Sequence, residues 1–358
     1  MRLNDARKVI GYILSKNFGK IFIEIIILGI HVWVISMEYY LSMYLKIVLC
    51  IIFLIILIDL FRTANTARKV FQEKHIPIVV AVGSSDDEVR AMVNDVLDSM
   101  NEYHFDERTF EDDFLVCRSD WLVERKSSLS GDPNEWRGLV HRFRDKIVRL
   151  SAMPKLRGKK VFHLFLMCPS ALAMGMGPVI GTNYEVVLHH LQRGTESAHP
   201  YLPLIDFRKK SDSYSGLHGI KSKATLPYKY ISVEAPETFT DVLPISLHLS
   251  AHDPRSDVDK LASDRSLSAV HIRNTYGNTL PVDADWLRVA NEVAAVLLGL
   301  SSRPEVEKIE LYQSCPIIIA FAVGMALGTH AGIEVFQWDG REKRYYPVLR
   351  LNTLRHGR

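Results

Sequence analysis

The 358-residue chain is poor in cysteine, and its four copies, Cys50, Cys117, Cys168 and Cys315, stand far apart. No close Cys-x-x-Cys pair exists, which excludes a zinc ribbon or a dithiol redox centre. Single cysteines inside apolar stretches behave as small hydrophobes and suit a reducing compartment. An excess of charge of one sign is also lacking: 44 Lys and Arg face 41 Asp and Glu, for a net charge of +3. That balance argues against a binder of polymeric nucleic acid.

The sequence contains no GxxxxGK[ST] loop, no HExxH, no GxSxG elbow and no His/Cys cluster at ligand spacing. A standard NTPase, zinc hydrolase or serine hydrolase is therefore unsupported, and no catalytic set, metal or cofactor is expected. The acidic stretch FEDDF, Phe110 to Phe114, has no second carboxylate cluster beside it and reads as the lead into a strand. His189 and His190 adjoin, but neighbours on a strand point to opposite faces, which argues against joint ligation.

Long apolar runs, by contrast, are present. Ile21 to Ile35 is interrupted only by Glu24 and His31, and Leu41 to Phe61 only by Lys46 and Asp59 near its end. With their flanks, at about 18–36 and 41–61, both reach the roughly 17–25 residues that cross a bilayer. A cleaved signal peptide would show one short core and a small-residue site, whereas a second run follows here after bulky Met37, Tyr39 and Tyr40. Basic residues precede and follow the pair and are missing from the turn MEYY, which predicts a two-pass hairpin with both termini cytoplasmic. Glu24, His31 and Lys46 are costly inside a membrane and are the functional candidates there.

After a linker at 63–75 the pattern changes to alternating strand-like and helix-like segments. IPIVVAVGSS, from Ile76, predicts a buried strand ending in a small-residue turn. A helix follows from about Asp86 to Met100, with Asp86 as its N-cap. The chain also repeats itself. VFHLFLMCPSALAMGMGPVIGT from Val161 and IELYQSCPIIIAFAVGMALGT from Ile309 share Cys-Pro, a helix glycine and Gly-Thr at one offset, Cys168 to Cys315 being 147 residues. Trp136 and Trp286 each open a helix upstream, and PIVVAVGS from Pro77 parallels PISLHLSA from Pro244. Two Rossmann-like α/β layers with pseudo-twofold packing and one shared cleft are expected.

Ligands of open α/β sheets bind beyond the carboxyl ends of the strands, where helix N-termini offer amide hydrogens to anions. That rule selects Ser84 and Ser85 after the first strand, Arg118 with Ser119 after the second, Ser170 at a helix start, and His190 with Arg193 after a later strand. In the second copy it selects Ser250, His252 and Asp253, then Arg273, Asn274 and Tyr276, then Gln313 and Ser314, then Trp338 and Arg341. Arginine grips phosphate and aromatic rings stack on bases, so the set has the chemistry a small nucleotide needs.

The duplicated strand, Cys-Pro, Gly-bearing helix, EVxxxx strand and Tyr-x-Pro tail resemble the SAVED domain, a pair of CARF-like Rossmannoid units, over about Ile76 to Asn352. The resemblance implies this organisation: 1–62, an N-terminal segment and transmembrane hairpin; 63–75, linker; 76–207, first CARF-like unit; 208–243, a polar insertion; and 244–358, second unit. With the hairpin ahead of it, the chain resembles the membrane-SAVED effectors of bacterial CBASS antiphage systems. That resemblance implies an inner-membrane protein without enzymatic activity. It would bind a cyclic di-, tri- or tetranucleotide made by a CD-NTase, assemble head-to-tail with copies of itself, and act on membrane lipid to cause abortive infection. The competing expectation is a membrane-tethered phosphodiesterase that cleaves such a messenger.

Overall fold

The computed structural model describes residues 29, 51–55, 58, 73–156, 158–181, 183–192, 200–208, 210–211, 214–215, 227–277 and 279–356. The chain divides into two compact units, Met1–Lys74 with Arg157–Lys159, and His75–Leu156 with Lys160–Arg358. In the first, Gly29, 51–55 and Ile58 are helical. A Cβ on Gly29 would lie 3.0 Å from the Phe53 ring, so the two apolar runs touch there. Ile51, Ile52, Leu54, Ile55 and Ile58 are exposed. Among the described residues no helix is long and apolar enough to cross a membrane. The remainder of the two runs, with Glu24, His31 and Lys46, lies outside the described residues.

The second unit holds both α/β layers. Its first sheet has the order β2-β1-β3-β4-β5, from β1 (Lys74–Val82), β2 (Leu122–Arg125), β3 (Lys160–Met167), β4 (Glu185–Leu191) and β5 (Tyr201–Asp206). A small ribbon follows, β6 (Lys210–Ser211) against β7 (Tyr214–Ser215). The second sheet has the order β13-β12-β11-β9-β10-β8, from β8 (Ile231–Glu234), β9 (Val242–His248), β10 (Val270–Asn274), β11 (Lys308–Ser314), β12 (Ile333–Asp339) and β13 (Arg344–Arg350). Matched strand for strand, β2-β1-β3-β4-β5 and β10-β9-β11-β12-β13 are the same topology, and β8 is an added antiparallel edge on β10. Even an irregularity is shared: the antiparallel edge pair of each sheet shifts register, between Leu188 and His189 and between Val335 and Phe336, again 147 residues apart (188 to 335). Ile231–Glu234, inside the stretch expected to be an insertion, thus belongs to the second sheet.

The helices are α1 (Asp86–Met100), α2 (Glu107–Phe114), α3 (Arg118–Trp121), α4 (Pro133–Ala152), α5 (Ser170–Ile180), α6 (Arg255–Asp264), α7 (Trp286–Ser301) and α8 (Ile317–Leu327). Ser85, rather than Asp86, is the N-cap of α1. Its Oγ accepts from the Glu88 N–H and the Glu88 carboxylate accepts from the Ser85 N–H, a reciprocal capping box. Asp132 and Asp285 cap α4 and α7 without the reciprocal bond, accepting from the Asn134 and Arg288 N–H groups.

Two sequence expectations fail together. FEDDF is the end of helix α2, capped by Asp106, and the strand follows Arg118 instead of preceding it. The reason is amphipathic: Phe110 is buried and packs its ring 4.5 Å from Phe105. Glu111, Asp112 and Asp113 meanwhile stay exposed. Such a one-sided pattern is helical, not extended. Arg118 therefore lies at the amino end of β2, away from the carboxyl edge.

The core is built on α5 and α8, which cross at their glycines. A Cβ on Gly177 would lie 2.3 Å from the Phe321 carbonyl oxygen, and one on Gly324 would lie 2.1 Å from the Met174 carbonyl oxygen. Met174 and Gly177 correspond to Phe321 and Gly324 at the 147-residue offset, so each helix meets the other through equivalent atoms (174 to 321, 177 to 324). The pseudo-twofold is thereby fixed at a backbone-to-backbone contact that only glycine permits. Helix α8, apolar all round, is buried from Ile318 to Leu327, which is how such a sequence satisfies itself inside a protein.

Candidate functional site

The carboxyl ends of the strands in the first half enclose a cavity of about 440 Å³. Val82 of β1, Leu166 and Met167 of β3, Cys168 with Pro169, and His189 to Leu191 of β4 line it, and Ile317 and Ile318 of α8 bring the second half to its wall. The lining is more apolar than polar, a balance common to small-molecule pockets. Ser170 begins α5 behind Pro169, the residue at the helix N-cap. His190 packs its ring 4.9 Å from Trp286, and burial lowers its pKa.

Three histidines run in line beneath this cavity. His189 Nε2 is 2.9 Å from His163 Nδ1, and His163 Nε2 is 2.8 Å from His75 Nδ1. His189 Nδ1 is buried and has no hydrogen-bond partner among the described residues. The Phe165 ring stacks on His189 at 4.3 Å and the Tyr103 ring lies 4.2 Å from His163. Burial drives the pKa of His163 down to about 2, with His189 and His75 adding to the effect. It takes His189 to about 3, against the opposing charge of Asp206. Both rings are neutral at any physiological pH. Cys168 is equally desolvated, its thiol pushed up to about 12, and Cys315 moves in the same direction, so neither offers a thiolate.

The second half presents a polar edge in the equivalent place. Ser314 ends β11 beside His248 of β9, and His248 pairs with Arg273 of β10. Ser250 Oγ and Ser314 Oγ are 3.0 Å apart. Around them lie buried polar atoms without partners among the described residues: both amide atoms of Gln313, Nδ2 of Asn274 and Nε2 of His248. Asn274 uses its Oδ1 to accept the Tyr276 N–H, and His248 Nδ1 faces Asp253 at 3.5 Å. Leaving such atoms dry costs about 1–3 kcal/mol each, so the edge carries unspent hydrogen-bonding capacity.

Aromatic and basic groups flank that edge. His252 lies 5.2 Å from the Trp338 ring and its Nε2 is 3.2 Å from Tyr345 Oη, while Trp338 and Tyr345 are 4.9 Å apart. Tyr276 is half exposed and stacks on Tyr230 at 6.1 Å. Arg273 reaches Glu234 at 3.3 Å and Ser232 Oγ at 3.2 Å. The hydrogen bond from Arg255, aided by the charge of Arg273, holds Glu234 below the usual carboxylate range. Arg341 is exposed in the turn after β12, where its N–H is accepted by Asp339.

Of the residues selected from sequence, Ser170 and His190 sit at the first edge, and Ser250, His252, Arg273, Tyr276, Ser314 and Trp338 at the second. Ser84 is buried beyond β1, and Ser85 is spent on capping. Arg118 is elsewhere: it makes an ion pair with Glu107 at 2.7 Å. It also lines a separate basic groove of about 590 Å³ with Arg142, Lys146 and Arg149. Arg193 lies outside the described residues. Sequence reasoning passed over His75, His163 and His248, and weighed His189 only as a joint ligand with His190. Their signal was a histidine inside an otherwise apolar strand, as in VFHLFLM. His189 and His190 both contribute to the cavity lining, but their rings pack apart, His189 on His163 and Phe165 and His190 on Trp286. Among the described residues no group of three or more His, Cys, Asp or Glu is placed to hold a metal ion.

No curated protein matches the chain. Among solved structures, it is similar to the Cap4 SAVED/CARF-domain receptor of Acinetobacter baumannii with the cyclic trinucleotide 2'3'3'-cAAA, at 12% identity and a TM-score of 0.47. The alignment covers 82% of this chain and 56% of that one. It is also similar to the Cap4 receptor of Moraxella osloensis, at 12% identity and a TM-score of 0.40, over 82% of this chain and 54% of that one. The chain thus spans little more than half the length of these receptors. Residues 204–351, which take in the second sheet, match the family model of SAVED, the SMODS-associated and fused to various effectors sensor domain.

Proposed function

We propose that the protein is a receptor for a cyclic oligonucleotide second messenger, bound along the carboxyl edges of its two sheets. The observation that carries this reading is the set of buried polar atoms left without partners at those edges: Gln313, Asn274 and His248 in one half and His189 in the other. A bound ligand relieves that desolvation cost, and the SAVED match of residues 204–351 supports a sensor as the class of protein. The cavity, more apolar than polar, suits a base, and exposed Arg273 with Arg341 suits phosphate.

In the same reading the N-terminal runs form a two-pass inner-membrane hairpin with cytoplasmic termini, and ligand-driven head-to-tail assembly clusters these hairpins to breach the bilayer and end the infection. Exposed Ile51, Leu54 and Ile55 on helical backbone and the Gly29–Phe53 contact support the hairpin. Full-length protein in detergent, titrated with cyclic di-, tri- and tetranucleotides, tests receptor and output together by calorimetry, by mass and by chromatography of the ligand. Binding with growth in mass and recovery of intact ligand is expected. No binding to any member sinks the receptor, and cleaved ligand would make the protein a phosphodiesterase.

A further inference from the structure

The helices that leave the equivalent strands of the two sheets, α1 after β1 and α6 after β9, are fastened by different means. Helix α1 buries Val89, Met92, Val93, Val96 and Met100. Helix α6 buries only Val258 and Ala262, with Pro254 buried at its N-cap. Polar contacts to three strands take the place of the missing apolar ones. Arg255 reaches Glu234 of β8 at 2.7 Å, Asp259 faces His271 of β10 at 3.0 Å, and Arg265 at the helix end pairs with Glu310 of β11 at 2.5 Å. Arg255, Glu234, Asp259 and Arg265 are each two-fifths exposed or more, and ion pairs so placed contribute little apiece.

His271 is the centre of these tethers. Its Nδ1 is 2.7 Å from Ser246 Oγ, so the neutral ring accepts the Ser246 O–H and donates its Nε2–H to Asp259. The row has the residue types of a hydrolytic triad, but Ser246 is only 1% exposed inside β9 and meets no substrate. Its effect is to aim the ring at α6. Residues 250–253, which join β9 to α6, lie on the carboxyl edge and occupy its polar and aromatic groups. Ser250 Oγ is 3.0 Å from Ser314 Oγ, His252 Nε2 is 3.2 Å from Tyr345 Oη with its ring 5.2 Å from Trp338, and Asp253 is 3.5 Å from His248. A ligand that takes Ser314, Trp338 or His248 has to break these contacts, and the segment that makes them is continuous with the weakly packed helix.

We propose that residues 250–253 and α6 form a lid that occupies the second carboxyl edge in the free protein, latched by Glu234 and His271, and that the messenger binds by displacing it. The proposal rests on the receptor reading above and adds its regulation, since the strength of the latch sets the affinity. Asp259, His271 and Ser246 are positioning residues that act through α6. Glu234 also holds Arg273 at 3.3 Å, so the latch is tested at Asp259 instead.

The test uses the full chain in detergent. The first arm needs no ligand and follows hydrogen–deuterium exchange by mass spectrometry in peptides from α1 and α6. Helix α6 should exchange faster than α1, and raising KCl from about 0.05 M to about 1 M should speed α6 alone. Asp259→Ala should speed α6 about fivefold and leave α1 unchanged. His271→Gln is the reciprocal variant should the first disturb folding. Equal exchange in the two helices, untouched by salt and by both variants, overturns the latch.

The second arm titrates wild type and Asp259→Ala with the cyclic di-, tri- and tetranucleotides. A ligand that binds only the open lid has an apparent affinity proportional to the open fraction, so loss of one exposed tether should tighten binding about fivefold. Saturating ligand should also raise exchange in α6 of the wild type. Equal or weaker binding by the variant overturns the lid. Slower exchange of α6 with ligand overturns it too, because the helix would then be closing on the ligand. Binding of no member by either protein refutes the messenger reading and the gating with it, a result distinct from equal binding by both.

Discussion

The two halves of the α/β unit share one strand order, one bulge and one glycine crossing, yet they place opposite chemistry at matching positions. At the end of the central strand the first half has Leu166, Met167 and Cys168, where the second has Gln313, Ser314 and Cys315. Farther in, neutral His163 corresponds to Glu310 (163 to 310). Burial pushes the Glu310 carboxyl up, but Arg265 at 2.5 Å and Lys308 at 3.1 Å more than offset it and hold it low. The backbone is common property, and the side chains at the strand ends are free to differ. A ligand lying across both edges would meet an apolar pocket on one side and hydrogen-bonding amides on the other.

The largest effect should come from breaking what the halves share. Gly324→Ala puts a methyl group 2.1 Å from a backbone oxygen that has no freedom to retreat, so a loss of about 3 kcal/mol and a lower melting temperature are expected. Gly177→Ala should match it. Equal melting of wild type and both variants would mean that the helices do not meet as described.

Acid should separate the halves next. A buried histidine whose folded pKa lies below its unfolded value of about 6.5 is stable as long as the unfolded chain binds no proton. Stability is therefore complete above that pH and falls as pH drops toward the folded values, about 3 for His189 and about 2 for His163. The slope should be about 1.4 kcal/mol per pH unit for each ring between pH 6 and 3. Denaturant midpoints measured from pH 7 to 5 should decline, and His189→Phe should flatten the decline.

Exchanging one residue between the halves is the sharper test. Gln313→Leu gives the second half the residue of the first and removes two dry amide atoms, so it should raise stability by about 1–3 kcal/mol and abolish messenger binding. A variant that is more stable and still binds would remove Gln313 from the site. Smallest of all should be the surface arginines. Arg273→Ala should cost at most about 1 kcal/mol of stability, since its pair with Glu234 is exposed, while weakening the ligand about tenfold. Arg118→Ala should leave affinity unchanged, and a loss there would move the site to the basic groove.

The duplication was legible because Cys-Pro and the helix glycines are imposed by local geometry that both copies obey. Cys168 and Cys315 are buried, and Pro169 and Pro316 occupy equivalent helix N-caps. Where the strands themselves were found, the strand-end rule placed its residues at a carboxyl edge, as with Ser170, Ser314 and Trp338. It failed at Arg118 because a short edge strand, LVER, gives little alternation, whereas apolar Phe114 to Val116 imitates a strand and is instead the end of α2 and its exit. Buried histidines were missed because their meaning lies in each other, and the partners are 88 and 26 residues apart in sequence.

The bulge after Leu188 and Val335 has a historical meaning. An irregularity kept at the same offset as Cys-Pro is what two copies of one module, each a single half, would carry. Such a half would expose its glycine helix and cover it by pairing with an identical molecule. In that light the present chain has the form of a homodimer written as one gene, in which neither half needs to suit itself.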